Sequence, residues 1–220
     1  MRNKNKIIIS IAAALTLFTT ITVSANERII KYILPKSSIT YKENQKTIVL
    51  DYSHKDSVKD NGATSKIDGT NEREVTNKLT KIVGDKLIDE GLNVIYTREI
   101  DGVISIPKRV EIANKIEGDL YLSIHANITD EAISTTSNGV EAFSNNAWSI
   151  SNSILKNVSE DLGMVNRGVF PTPWYNREIN YPSLLLEIGF LNNESDLDII
   201  KNKQEGYADI IVESIVENLN

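Results

Sequence analysis

Apolar positions along this chain change their spacing several times, and each change marks an element. Thr47-Ile48-Val49-Leu50-Asp51-Tyr52 is a short β-branched run of the kind that forms a buried strand. A polar loop over 53–70 follows, holding Gly62 and the turn pair Asp68-Gly69. Asn71 then stands where a helix cap is expected, with Glu72 and Glu74 in the first turn, where carboxylates suit the helix dipole. Val75, Leu79, Ile82, Val83 and Leu87 recur at helical spacing until Gly91 stops the helix. Residues 92–97 predict the next strand, and Ser105 followed by Pro107 opens a helix that runs to Ile116.

Asp119-Leu120-Tyr121-Leu122-Ser123-Ile124 again alternates as a strand and delivers His125 where the apolar run stops. Asn138-Gly139 precedes a short strand over 140–144, and 148–162 has helical spacing ended by Gly163. The Pro- and Tyr-rich stretch after it has no period and reads as irregular. Residues 183–188 predict an almost wholly apolar strand interrupted by Glu187, and helical patterns over 195–201 and 205–219 close the chain. Strands alternating with helices predict an α/β fold in one domain, 47–220. Its sheet should be largely parallel and twisted, with helices on both faces and Leu184-Leu185-Leu186 central.

The first 25 residues stand apart. Arg2, Lys4 and Lys6 precede an apolar run from Ile7 to Val23, and Val23-Ser24-Ala25 fits a cleavage site. The segment 1–25 reads as a secretory signal peptide, with an uncleaved membrane anchor as the alternative, and both place the protein outside the cytoplasmic membrane. Residues 26–46 read as a leader or connector around Pro35. Export removes three of the 24 basic residues and none of the 30 acidic ones, leaving a net charge of −9. Such a balance argues against nucleic acid as the main partner. With no cysteine in the chain, any metal must be held by His, Asp or Glu.

That narrows the candidate chemistry. The only two histidines, His54 and His125, each follow a strand. Glu187 lies inside an apolar run, where a carboxylate is costly unless a metal, a catalytic proton or an ion pair with Arg98 or Arg109 compensates it. Two histidines and a carboxylate are also the ligand set of a hydrolytic zinc site, although no local ligand motif such as His-Glu-x-x-His is present. Each histidine taken alone is more often a hydrogen-bonded structural residue than a ligand.

In combination the segments resemble the zinc-dependent N-acetylmuramoyl-L-alanine amidases of the amidase-3 family. The matching stretches include Ile48-Val49-Leu50-Asp51-x-x-His54, Glu72 heading a helix, Val94-Ile95-Tyr96-Thr97-Arg98 and Arg109-Val110-x-x-Ala113-Asn114. They continue with Ser123-Ile124-His125-Ala126-Asn127, Gly139-Val140-Glu141, Asn166-Arg167-Gly168 and Pro182-Ser183-Leu184-Leu185-Leu186-Glu187-Ile188-Gly189-Phe190-Leu191-x-Asn193. The resemblance implies that His54, Glu72 and His125 are zinc ligands and Glu187 the catalytic residue. Glu72 is preferred to Glu74 because it stands 19 residues before Gly91, the family's spacing.

The implied reaction is hydrolysis of the amide between N-acetylmuramic acid and L-alanine in peptidoglycan, and the short layout is similar to germination- and sporulation-type members. One departure is plain: where the family has Asp-Pro-Gly-His-Gly-Gly, this chain has Asp51-Tyr52-Ser53-His54-Lys55-Asp56. That change bears on the loop under the metal, and an activating partner protein would answer it. Two other functions stay open: a metal-free wall-binding or regulatory protein on the same fold, and a zinc peptidase acting on stem peptides.

Overall fold

The structure is a computed structural model that describes residues 41–55, 57–130 and 136–219. The expected signal peptide, 1–25, and most of the expected connector, 26–46, lie outside the described residues. Six strands form one sheet: β1 (Thr47–Tyr52), β2 (Asn93–Tyr96), β3 (Leu120–Asn127), β4 (Val140–Asn145), β5 (Asn166–Pro171) and β6 (Ser183–Phe190). Their order is β2-β1-β3-β6-β4-β5, and every neighbouring pair is parallel except β4 with β6. β6 is thus an interior strand, as its apolar run predicts. The helices are α1 (Glu72–Asp89), α2 (Ile106–Ile116), α3 (Trp148–Leu162), α4 (Glu194–Asn202) and α5 (Gln204–Asn218). None of the described helices is long and apolar enough to cross a membrane.

Period-two alternation divides the strands between two unequal faces. Ile48 and Leu50, Leu120, Leu122 and Ile124, and Leu184, Leu186 and Ile188 point into the larger core, against α1, α3, α4 and α5. Val49, Ile95 and Tyr121 point the other way, into a smaller core roofed by α2 through Val110, Ile112, Ala113 and Ile116. That second roof covers β2, β1 and β3, while the same face of β6 and β4 carries no α-helix but the short 3-10 turn at Tyr175–Glu178. The site residues lie along the edge of that roof.

Two expectations need correction. The stretch after Gly163 is not irregular throughout, since it contains the edge strand β5 and a 3-10 turn at Tyr175–Glu178. β5 escaped notice because, as an edge with Gly168 and Pro171 in it, it is largely exposed and shows no alternation. Asn71 occupies the cap position of α1 but makes no cap hydrogen bond. Its side-chain amide instead donates to the Ala63 carbonyl and to Thr64 Oγ1, stitching the 62–70 loop to the helix start. Asn193, by contrast, does cap α4 by accepting from the N–H groups of Ser195 and Asp196.

Candidate metal and catalytic centre

Three adjacent strands set one side of the site by register alone. His125 on β3 pairs with Glu187 on β6, and Glu187 pairs in turn with Glu141 on β4. Residues in register across a sheet share a face, so the three side chains stand in a row. The ladder slips between His125 and Asn127, an irregularity that ends regular pairing beside the site.

The other side is built by the loop after β1 and the first turn of α1. Glu72, the first residue of α1, accepts from the Ala63 N–H at 2.8 Å and from the Ala126 N–H at 3.2 Å. Glu74, two residues on, is exposed and away from the site. His54 follows β1 with a positive φ of 62°, and Lys55 after it also has φ 62°. The backbone therefore takes a left-handed turn at two residues that are not glycine, and a lysine bears the strain. Gly62 closes the loop: a Cβ there would lie 2.7 Å from His54 Nε2 and 2.8 Å from Glu72 Oε2, so only glycine lets the backbone pass.

These supports bring His54, Glu72 and His125 together, with one ligand atom of each lying within 4.8 Å of the others. Hydrogen bonding sets the tautomers. His54 Nδ1 donates to Asp60 Oδ1 at 2.9 Å, which turns the lone pair of Nε2 toward Glu72 Oε1, 2.8 Å away. No aligned hydrogen bond forms there, and Nε2 is buried without a partner. His125 Nε2 contacts Ser123 Oγ at 3.1 Å and Tyr175 Oη at 3.5 Å, leaving Nδ1 to face the same Glu72 oxygen at 3.3 Å. His54 Nε2 and His125 Nδ1 thus converge on one carboxylate oxygen, where each nitrogen needs either a proton or a shared cation beside it. The donor set fits a divalent ion of zinc type.

Without a cation the cluster responds through its protons. Burial works against charge on His54, but Glu72 and Asp60 outweigh it and raise its pKa. Burial likewise opposes the Glu72 carboxylate, and His125 and His54 overcome it, holding its pKa well below the usual range. Glu187 behaves oppositely. Burial first, then the charges of Glu72 and Glu141, push its carboxyl up to about 8. Its Oε2 is buried with no partner.

The ion pair considered for Glu187 is absent. Arg109 instead pairs with Asp51 at 2.7 Å, and Arg98 donates to the Tyr52 and Ser53 carbonyls and to those of Glu99 and Ile100. Glu141 is the carboxylate that has a cationic partner, Arg167 at 2.8 Å, and Asn127 also donates to it at 2.8 Å.

A sequence profile of the N-acetylmuramoyl-L-alanine amidase family, Amidase_3, matches residues 48–218. The chain belongs to this family. The amidase LytC of Bacillus subtilis is 34% identical over 178 residues, which cover 77% of this chain but only 34% of LytC. The chain thus spans about a third of that curated relative. Among solved structures, the N-acetylmuramoyl-L-alanine amidase of Clostridium difficile 630 superposes with a TM-score of 0.73 at 25% identity, covering 80% of this chain and 97% of that one. The CwlD amidase of Clostridioides difficile, solved in complex with the GerS lipoprotein, gives 0.71 at 25% identity, covering 79% and 98%.

Within this amidase fold, sequence reasoning overlooked four residues that shape the site. Asp60 orients His54 and Gly62 makes room for it, while Ser123 and Tyr175 hold His125 from behind. Tyr175 also contacts Asp51 Oδ2 at 3.3 Å, linking His125 to the buried Asp51–Arg109 pair. Tyr175 lay in the stretch without a period, and Asp60 in a polar loop; neither residue carries a local signal.

Proposed function

We propose that this protein is a zinc-dependent peptidoglycan amidase, hydrolysing the bond between the lactyl group of N-acetylmuramic acid and L-alanine outside the cytoplasmic membrane. The observation that carries the reading is the convergence of His54 and His125 on Glu72, with the buried Glu187, unpartnered at Oε2, beside them. His54, Glu72 and His125 would hold the ion, and Glu187 would act as general base and acid. Zinc, when bound, supplies a Lewis acid that lowers the pKa of water and polarises the scissile carbonyl.

The rest of the work falls to the protein. Asp60, Ser123 and Tyr175 fix the two imidazoles so that each presents one nitrogen to the ion. Glu72, accepting two backbone N–H groups, is held ionised. Glu187, unpartnered at Oε2, accepts the proton of the attacking water and returns it to the departing amine of L-alanine. Burial and the charges of Glu72 and Glu141 raise this carboxyl to about 8 in the metal-free protein, and a bound cation would offset the Glu72 charge and bring it down toward the range of a general base.

The basic n-region and cleavage site support export, with the mature chain starting near Asn26. Likeness to an amidase solved in complex with a lipoprotein supports an activating partner protein, and the substrate is either the vegetative wall or the spore cortex. The test is digestion of vegetative and cortex sacculi by zinc-loaded protein. Release of peptides with a free L-alanine amine, from glycan that retains its lactyl groups, is expected, and a chelator should stop it. New amino termini inside the stem peptide would instead establish a peptidase.

A further inference from the structure

The half of the site face without an α-helix is not bare. Ala142 and Val169 point into the larger core, so their strand neighbours Phe143 and Phe170 point out on the side of Glu187. The two rings pair across β4 and β5 with centroids 5.9 Å apart, and Trp174 meets Phe143 edge-on at 6.4 Å. Trp174 is 52% exposed and Phe170 41%. The turn that carries Trp174 is rigid. Asn176, fully buried, donates to the Phe143 carbonyl at 3.2 Å and accepts from Thr172 through its side chain, and its own carbonyl accepts from Ser183 Oγ at 2.7 Å. The next residue after Trp174 is Tyr175, which reaches His125.

Distance sets the occupant. Phe143 follows Glu141 by two residues on one face of β4, so the aromatic group begins about 7 Å along the strand from the Glu141–Glu187 pair. That is comparable to one sugar unit of a glycan strand. A pyranose has an apolar C–H face and a polar rim, and a half-exposed aromatic ring held at the surface binds such a ring by stacking. The continuity with the candidate centre favours the substrate's own glycan over an unrelated protein.

We propose that Trp174, Phe170 and Phe143 form a glycan subsite, on which an N-acetylated sugar neighbouring the reacting muramic acid stacks. This rests on the amidase reading above and assigns the part of the substrate that the metal centre does not touch. Trp148 and Trp174 are the chain's only tryptophans, and Trp148 lies on α3, over the other face. Trp148→Phe therefore leaves Trp174 as the sole reporter.

Two readouts test the subsite. In the Trp148→Phe protein, titration with a β-1,4-linked N-acetylglucosamine tetramer should change tryptophan fluorescence saturably, and adding Phe170→Ala should weaken that binding about threefold to tenfold. In turnover, Trp174→Ala should raise KM for polymeric glycan-linked substrate by a similar factor, with a much smaller effect on an N-acetylmuramoyl-dipeptide, and Trp174→Phe should recover most of the loss. A saturable signal in a protein that hydrolyses neither substrate would sink the amidase reading and keep the subsite. Normal hydrolysis with no fluorescence response, or equal losses on both substrates, would overturn the subsite alone. A fluorescence change that follows protein concentration instead of saccharide would also overturn it, by identifying the patch as a contact between copies.

Discussion

His125 and His54 face the same oxygen of Glu72 from very different supports. His125 stands within β3, flanked by paired strands, and is backed by Ser123, Tyr175 and the buried Asp51–Arg109 pair. His54 sits on a loop whose left-handed turn is borne by His54 and Lys55 themselves, and is held by Asp60, another loop residue. Strand register positions a side chain through many cooperative hydrogen bonds, whereas a strained loop does so through a few local contacts. The centre is thus half rigid and half adjustable, and the adjustable half is where this chain departs from its family.

The most severe way to break that comparison is to remove the rigid half. His125→Ala should abolish stoichiometric zinc and all hydrolysis, while Glu74→Ala, on the exposed side of α1, should leave both near wild type; metal analysis by mass spectrometry reads the difference. A Glu74 variant that lost zinc while a Glu72 variant kept it would reverse the ligand assignment.

A smaller effect appears in the zinc-free protein as pH changes. Folded Glu187 holds its proton up to about 8, against an ordinary value of 4.5, so between those values the folded state binds a proton that the unfolded state has released. Stability must therefore fall as pH rises through that window and level off above it. His54, whose pKa is also raised, adds stability at low pH that is lost as it deprotonates. Glu187→Gln removes only the first contribution, so chelated wild type and variant should diverge as pH rises toward 8, with the variant the more stable. Parallel denaturation profiles would show that Glu187 is not buried as described.

The smallest effect sharpens the loop side. Lys55→Gly relieves a left-handed φ at a residue with a Cβ and should stabilise the fold by about 1 kcal/mol, seen as a raised Tm. A lowered Tm would mean that the loop is not strained.

Much of this was legible beforehand because it rests on local pattern. The apolar runs gave β1, β3 and β6, the helical spacing of Val75 to Leu87 gave α1, and Glu187 stood out as a carboxylate among leucines. What was not legible depends on pairing between distant segments. Nothing local says that His125, Glu187 and Glu141 fall in register, or that burial and the charges of Glu72 and Glu141, not an arginine, govern Glu187. β5 is an exposed edge with no alternation, and Tyr175 belongs to a turn held by tertiary hydrogen bonds. The loop at His54 lacks the glycines that would announce a left-handed turn, yet His54 and Lys55 take one.

The central claim is that Glu187 serves as the proton acceptor of a metal hydrolase and not as a structural charge. Glu187→Gln keeps the side chain's size and removes its acid–base function, so melting, zinc content and peptidoglycan hydrolysis measured on one preparation test the claim directly. A folded, zinc-loaded protein whose turnover falls about 10²–10⁴-fold is expected. A protein with a much lowered Tm and near-normal activity per folded molecule would contradict it.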